Sequence, residues 1–221
     1  MAGLQMVYHV VVEGTIGAGK STLVNNIHPL LATHFGNSWI VPEPINHWLA
    51  YGSSKENVLH NMYTNPKQYS FLFQVVASVT KVKELVEVNQ EVKGVKIAER
   101  SLEAQSKVFI PNLSHKNMLT IAEKEVLEEM IELMLLQNGV KPDLILYLQA
   151  SPESVMKRIR MRNRAEENGI TLEYLTELHE RYENWLTDPE IKTPVIIINA
   201  EDITTVMPEN VVKQIVQSLE K

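Results

Sequence analysis

Short, mainly apolar runs alternate with longer stretches whose apolar positions recur at helical spacing. The runs lie at 8–12, 39–41, 95–98, 144–148 and 194–198. A continuous apolar run of this length suits a strand covered on both faces, as in a parallel sheet, more than one with a wet face. The intervening text predicts helices at 20–34, 55–62, 67–89, 120–136, from Ser151 into an arginine-rich stretch, at 172–186 and at 210–219. Tyr63-Thr64-Asn65-Pro66 reads as a break, Asn138-Gly139 as a helix stop, and Ser151-Pro152-Glu153-Ser154 as a helix start. Strands alternating with helices predict an α/β protein: a five-stranded parallel sheet flanked by helices in three layers. No repeat or long linker interrupts it, so 1–221 reads as one domain with a lid at about 158–170.

Gly14-Thr15-Ile16-Gly17-Ala18-Gly19-Lys20-Ser21 stands between the first strand and the first helix, and Thr22 follows it. Strand, glycine-rich loop and helix are together the context a phosphate-binding P-loop requires. The glycines let backbone N–H groups converge on phosphate oxygens at a helix N-terminus. Lys20 is expected to reach the terminal phosphates, and Ser21 to help hold magnesium. The architecture is therefore P-loop NTPase-like, and the chemistry that of a phosphotransferase or hydrolase.

Acids and arginines narrow the choice. Glu43 lies between two prolines just past the second strand, and Glu99 ends the third, ahead of Arg100-Ser101. Carboxyl ends of strands are where open α/β sheets place ligands. On this reading those two are the acids that end strands. The fourth run closes in Gln149 rather than an acid, which disfavours an ordinary ATPase or GTPase, and no Asn-Lys-x-Asp guanine-reading motif occurs. Arg158, Arg160, Arg162 and Arg164 form either a solvated face paired with Glu166 and Glu167 or a lid closing over phosphates. Gln74, inside a greasy helix, is either a satisfied core amide or a base-reading one. A net charge of −6 argues against nucleic-acid or membrane partners, leaving a small anionic nucleotide in a locally positive pocket. The absence of cysteine removes disulfides and thiolate metal sites. A strand starting by Tyr8 leaves no room for a leader, so a soluble, cytoplasmic protein is expected.

Taken together, Gly14 to Ser21, Glu43-Pro44 with Trp48, Met62-Tyr63 with Pro66, Phe73-Gln74, Glu99-Arg100-Ser101, Arg158 through Glu167 and the run from Gly169 to Leu175 resemble the deoxyribonucleoside kinases. That family includes deoxycytidine, deoxyguanosine and mitochondrial thymidine kinases and the insect multisubstrate enzyme. The resemblance spans nearly the whole chain and implies ATP and Mg2+ as cofactors. It implies Glu43 as the base on the nucleoside 5′-hydroxyl, Arg100 beside it, Lys20 on the donor phosphates, and Glu99 with Ser21 at magnesium. Tyr63 and Glu167 would bind the sugar 3′-hydroxyl, Gln74 the base edge, and Trp48 and Phe109 the walls. Arg158, Arg162 and Arg164 would grip phosphates, and Glu201-Asp202-Ile203 would form the adenine-binding turn.

Where deoxycytidine- and purine-accepting members pair an arginine with an aspartate, this chain has Lys81 and Gln105. Facing the pocket, the two would satisfy a keto oxygen; otherwise Lys81 snorkels to solvent and Gln105 meets a loop. Ala77 leaves space beside them and does not favour a narrow pyrimidine pocket; broad deoxynucleoside use with some lean to pyrimidines is expected. Helix 67–89 carries apolar residues too widely spread for one buried face. With 120–137 it resembles the family's dimer interface, so a homodimer is expected. The rival readings are a nucleoside monophosphate kinase, which would need further cations between residues 43 and 100, and a non-catalytic nucleotide binder, which would not need Glu43 beside Arg100.

Overall fold

The computed structural model describes residues 7–88, 93–137 and 140–220. Five parallel strands form the sheet: β1 (Val7–Glu13), β2 (Ser38–Val41), β3 (Gly94–Glu99), β4 (Leu144–Gln149) and β5 (Val195–Asn199), in the order β2-β3-β1-β4-β5. All five coincide with the apolar runs. Because side chains alternate along a strand, the sheet feeds two cores. Val10, Val12, Ile97, Leu144 and Leu146 pack against α1 (Lys20–Phe35) and α9 (Pro208–Leu219). On the other face, Val11, Val41 and Ala98 meet α4 (Pro66–Val88), α5 (Ile110–His115) and α6 (Ile121–Leu135). Ile145 and Tyr147 meet α8 (Leu172–Leu186) on that same face. The result is the expected three-layer, P-loop NTPase-like arrangement.

Several boundaries differ from the sequence reading for local reasons. The helix expected at 55–62 starts at Val58 as α3 (Val58–Thr64), because the Asn57 side chain caps the His60 N–H at 2.8 Å. Lys55 has φ +55° in a turn closed by the Tyr51–Glu56 bridge, a backbone no helix accepts. Tyr63 and Thr64, read as a break, belong to α3, and only Asn65 separates it from α4. The short α2 (Ile45–Leu49) and a π-helical turn at Gln105–Phe109 leading into α5 had no clear periodic signal, yet they carry Trp48, Gln105 and Phe109. The final helix starts at Pro208 rather than Asn210, its proline fitting the first turn. Residue 89 of the long helix and the Asn138-Gly139 stop lie outside the described residues. α6 is capped reciprocally by Thr120 and Glu123. Past α7 (Pro152–Arg162), Asn163 turns left-handed and Ala165–Gly169 forms a single 3-10 turn, within the stretch 158–170 that the sequence reading expects to be a lid.

Candidate active site

The glycine loop leaves β1 at Gly14, with φ +146°, where a Cβ would stand 2.8 Å from the Leu148 carbonyl oxygen. At Gly17, φ is +83° and a Cβ would lie 2.9 Å from the Val155 carbonyl oxygen. Only glycine is unstrained in such a backbone. The loop thus packs tightly on β4 and α7 and delivers Gly19 as the N-cap of α1. Lys20 lies over it, donating to the Gly14 and Thr15 carbonyls at 3.1 and 2.9 Å. Burial pulls the Lys20 ammonium down to about 8, against the nearby acids that favour its charge. Ser21 Oγ donates to Glu99 Oε2 at 2.7 Å, joining the loop to the end of β3. A hydroxyl and a carboxylate at the mouth of a phosphate loop form a hard oxygen pair of the kind Mg2+ takes alongside phosphate and water.

Beyond the strand ends lies a cavity that opens to solvent. Glu43 and Arg100 lie in its wall, with Arg100 Nε donating to Glu43 Oε1 at 2.8 Å. Burial alone would raise the Glu43 carboxyl, but Arg100 and then Lys20 outweigh it and hold the group below the usual carboxylate range. Arg100 has φ +66°, and its N–H is tied to the Val12 carbonyl at 2.9 Å. Phe109 lies under its guanidinium, 4.6 Å from ring centre to Cζ.

Most of the expected acceptor residues converge here: Trp48, Tyr63, Gln74, Ala77, Gln105, Phe109 and Glu167 all line the cavity. Trp48 is fixed by donation to Thr80 Oγ1 at 3.0 Å and by an edge contact with Phe73. Gln74 Oε1 is buried and has no hydrogen-bond partner among the described residues. Gln105 Oε1 accepts from Ser78 Oγ. Burial pushes the Tyr63 phenol well above its ordinary range, so it is neutral and able to donate.

Lys81 is the exception. Its ammonium neither faces the cavity nor snorkels to solvent: it is buried on the Glu99 carbonyl at 2.8 Å, with the Val41 carbonyl at 3.5 Å. The β2–β3 ladder ends at Val41 opposite Ala98, and the ammonium serves carbonyls where the strands stop. Burial pulls it down to about 8.

The arginines expected to grip phosphates divide. Arg162 and Arg164 line the cavity and hold Glu167, at 2.6 Å from Arg162 Nη2 to Oε2 and 2.8 Å from Arg164 Nη1 to Oε1. Arg158 instead spans the glycine loop and the 200–201 turn, donating to the carbonyls of Ala18, Ala200 and Glu201. In that turn the carboxylates are occupied by the fold: Glu201 accepts from Ser151 and Ser154, and Asp202 from Thr204. Ile203 packs over Gly19, its Cγ1 standing 2.8 Å from where a Cβ would be.

Glu13 corrects the statement that the strand-ending acids are Glu43 and Glu99. It closes β1 with no exposed surface, and the same signal, an acid at the end of an apolar strand, marks it in the sequence. Tyr174, in the cavity wall, lies within the segment that carries the resemblance, but Tyr182 on α8 had no signal of its own.

A profile of the deoxynucleoside kinases matches residues 10–221. The chain belongs to the deoxynucleoside kinase family. Among its relatives, deoxycytidine kinase of Homo sapiens is 34% identical, with 82% of this chain and 76% of that protein covered. Deoxycytidine kinase 2 of Gallus gallus is 28% identical, covering 86% and 81%, and mitochondrial deoxyguanosine kinase of Xenopus laevis is 29% identical, covering 86% and 80%. This family member is a kinase of the deoxynucleoside class, with ATP as the phosphate donor that membership implies.

Proposed function

We propose that the enzyme transfers the γ-phosphoryl group of ATP to the 5′-hydroxyl of deoxyribonucleosides, forming 5′-monophosphates, with broad base acceptance and a lean to thymidine and deoxycytidine. The observation that carries this reading is the Glu43–Arg100 pair, 2.8 Å apart in the wall of a cavity that also contains Gln74 and Tyr63. Phosphoryl transfer depends mainly on alignment and charge stabilisation. Glu43, ionised at neutral pH, orients the 5′-hydroxyl and takes its proton. Arg100 steadies Glu43 and faces the incoming phosphate, while Lys20, Arg162 and Arg164 supply positive charge on the donor side. Ser21 and Glu99 would hold Mg2+, which supplies charge neutralisation at the donor phosphates.

Tyr63 and Glu167 bind the 3′-hydroxyl on this reading. Because Glu167 also holds Arg162 and Arg164, sugar binding and the phosphate-side arginines share one carboxylate. The unpaired Gln74 Oε1 offers the base edge an acceptor whose burial without a partner is unfavourable. Base choice then falls to Gln74, Ala77 and Gln105, since the Lys81 ammonium is engaged elsewhere. A nucleoside monophosphate acceptor is less well served, because all three cavity arginines are already paired with carboxylates, Arg100 with Glu43 and both Arg162 and Arg164 with Glu167.

A C2 homodimer through α4 and α6 is part of the proposal. Leu72, Val79 and Val86 recur every seventh residue and are 41 to 45% exposed. They run beside exposed Val126 and Leu133, with a groove between the helices. We also propose the cytoplasm as its compartment, which a cysteine-free composition fits; no helix among the described residues is long and apolar enough to cross a membrane.

The test is ATP- and magnesium-dependent formation of 5′-monophosphate from each of the four deoxynucleosides, alongside nucleoside monophosphates as acceptors. Turnover of thymidine or deoxycytidine with weaker purine use supports the proposal, and turnover of monophosphates alone refutes it. Glu43→Gln is expected to lower kcat by roughly 10²- to 10⁴-fold with ATP affinity retained. Equal loss of ATP binding would remove Glu43 from the role of base.

A further inference from the structure

One buried acid has no part in the mechanism above. Glu13 Oε1 accepts the Ser101 N–H at 2.7 Å, and Glu13 Oε2 accepts the Tyr182 hydroxyl at 3.2 Å. The Tyr182 oxygen in turn accepts from Arg100 Nη1. A phenol has one proton to give and lone pairs to receive with, so the donors run in one direction, from Arg100 to Tyr182 to Glu13, and end on a carboxylate. On its other side Arg100 Nε donates to Glu43 at 2.8 Å. The guanidinium is thus held between two carboxylates, one directly and one through a phenol, with Phe109 against its face. The backbone is fixed the same way. Arg100, at φ +66°, has its own N–H on Val12 and the next N–H on Glu13, so β1 pins the peptides on both sides of a strained residue.

We infer that Glu13 and Tyr182 are positioning residues: through the Tyr182 hydroxyl they fix the Arg100 guanidinium beside the reacting 5′-hydroxyl. This rests on the assignment of Arg100 to that place in the proposed reaction. Tyr182 stacks on Tyr147 at 6.0 Å between ring centroids and contacts Trp185, so phenylalanine can keep its packing while losing the hydroxyl. Tyr182 is fully buried, so its oxygen serves no ligand directly.

The experiment compares the full-length enzyme with Tyr182→Phe by steady-state kinetics, thermal unfolding and arginine side-chain NMR. In the wild type, the Arg100 guanidinium is expected to show restricted rotation about its C–N bonds. In Tyr182→Phe that restriction is released, and kcat falls roughly tenfold to hundredfold with KM for ATP and nucleoside changed less than threefold. Glu13→Gln, which keeps the shape and an acceptor for Ser101 while removing the charge, is expected to change both readouts in the same direction. It serves as the deciding variant if Tyr182→Phe does not fold. A lower unfolding midpoint with unchanged kcat and an unreleased guanidinium would make the pair merely structural and overturn the inference. Released rotation with unchanged kcat would overturn it as well. If the wild type phosphorylates no deoxynucleoside, the proposed function fails by that result. The NMR comparison then still decides whether Glu13 and Tyr182 hold Arg100.

Discussion

At the residue scale, Lys81 and Gln105 show how a matched position can part from its expected role. Gln105 lines the cavity, whereas the flexible stem of Lys81 lets its ammonium reach the carbonyls of Glu99 and Val41 instead. Gln105 is held by Ser78 within the cavity wall. Lys81→Met is therefore expected to leave the ranking of the four deoxynucleosides by kcat/KM unchanged, whereas Gln105→Leu reorders it. A reordering by Lys81→Met would show that the ammonium reaches the base. His9 supports a second residue-level prediction. It is buried, with Nδ1 on the Lys141 carbonyl at 3.1 Å, and burial lowers its pKa to about 3. Below pH 6.5 the unfolded chain takes a proton here that the folded chain refuses until about pH 3. Stability tied to His9 is thus complete above about pH 6.5 and is lost as pH falls toward 3, by an amount on the order of a few kcal/mol. Denaturant titrations between pH 7.5 and 5 should show a shallower pH dependence in His9→Leu than in the wild type. Equal slopes would mean that His9 is not the titrating group.

At the element scale, the glycine loop is held by what surrounds it as much as by its own sequence. Gly17 at φ +83° approaches the Val155 carbonyl of α7, and Arg158 of the same helix reaches the Ala18 and Glu201 carbonyls. α7 therefore braces the loop from behind while its last residue, Arg162, lines the cavity. Gly17→Ala must adopt a left-handed backbone and press its methyl on that carbonyl. The expected result is destabilisation of about 1–3 kcal/mol and loss of nucleotide binding, read by thermal unfolding with and without ATP. An ATP-induced rise in the unfolding midpoint equal to the wild type's would show that the loop tolerates the methyl.

At the scale of the whole molecule, α4 does two jobs. One side carries Gln74 and Ala77 to the cavity, and the other exposes Leu72, Val79 and Val86 beside Leu133 of α6. Covering that stripe with a second copy would place the two cavity-lining α4 helices at the proposed dimer interface. Leu133→Glu, whose native side chain is 64% exposed, should be tolerated by the fold and yield a monomer in sedimentation. An unchanged dimer would place the interface elsewhere.

The amino-acid sequence by itself determined the five strands, because each is a short, mainly apolar run of the kind a parallel sheet covered on both faces takes up. It determined the phosphate loop as well, since glycine spacing and the strand–loop–helix context are local properties. Glu43 and Glu99 were legible as acids at strand ends, whereas Arg100, Tyr63, Gln74 and Glu167 were legible as site residues only through the resemblance to the deoxyribonucleoside kinases, because residues so distant meet only in the folded chain. Tertiary structure alone decided the rest. It turned Lys81 inward to the strand ends and used Arg158 as a brace. It also connected Glu13 of β1, Arg100 after β3 and Tyr182 of α8 into one buried hydrogen-bonded chain. The physical reason is the same in each case: a buried polar group must find a partner, and which partner lies within reach is set by how the elements pack, not by neighbours along the chain.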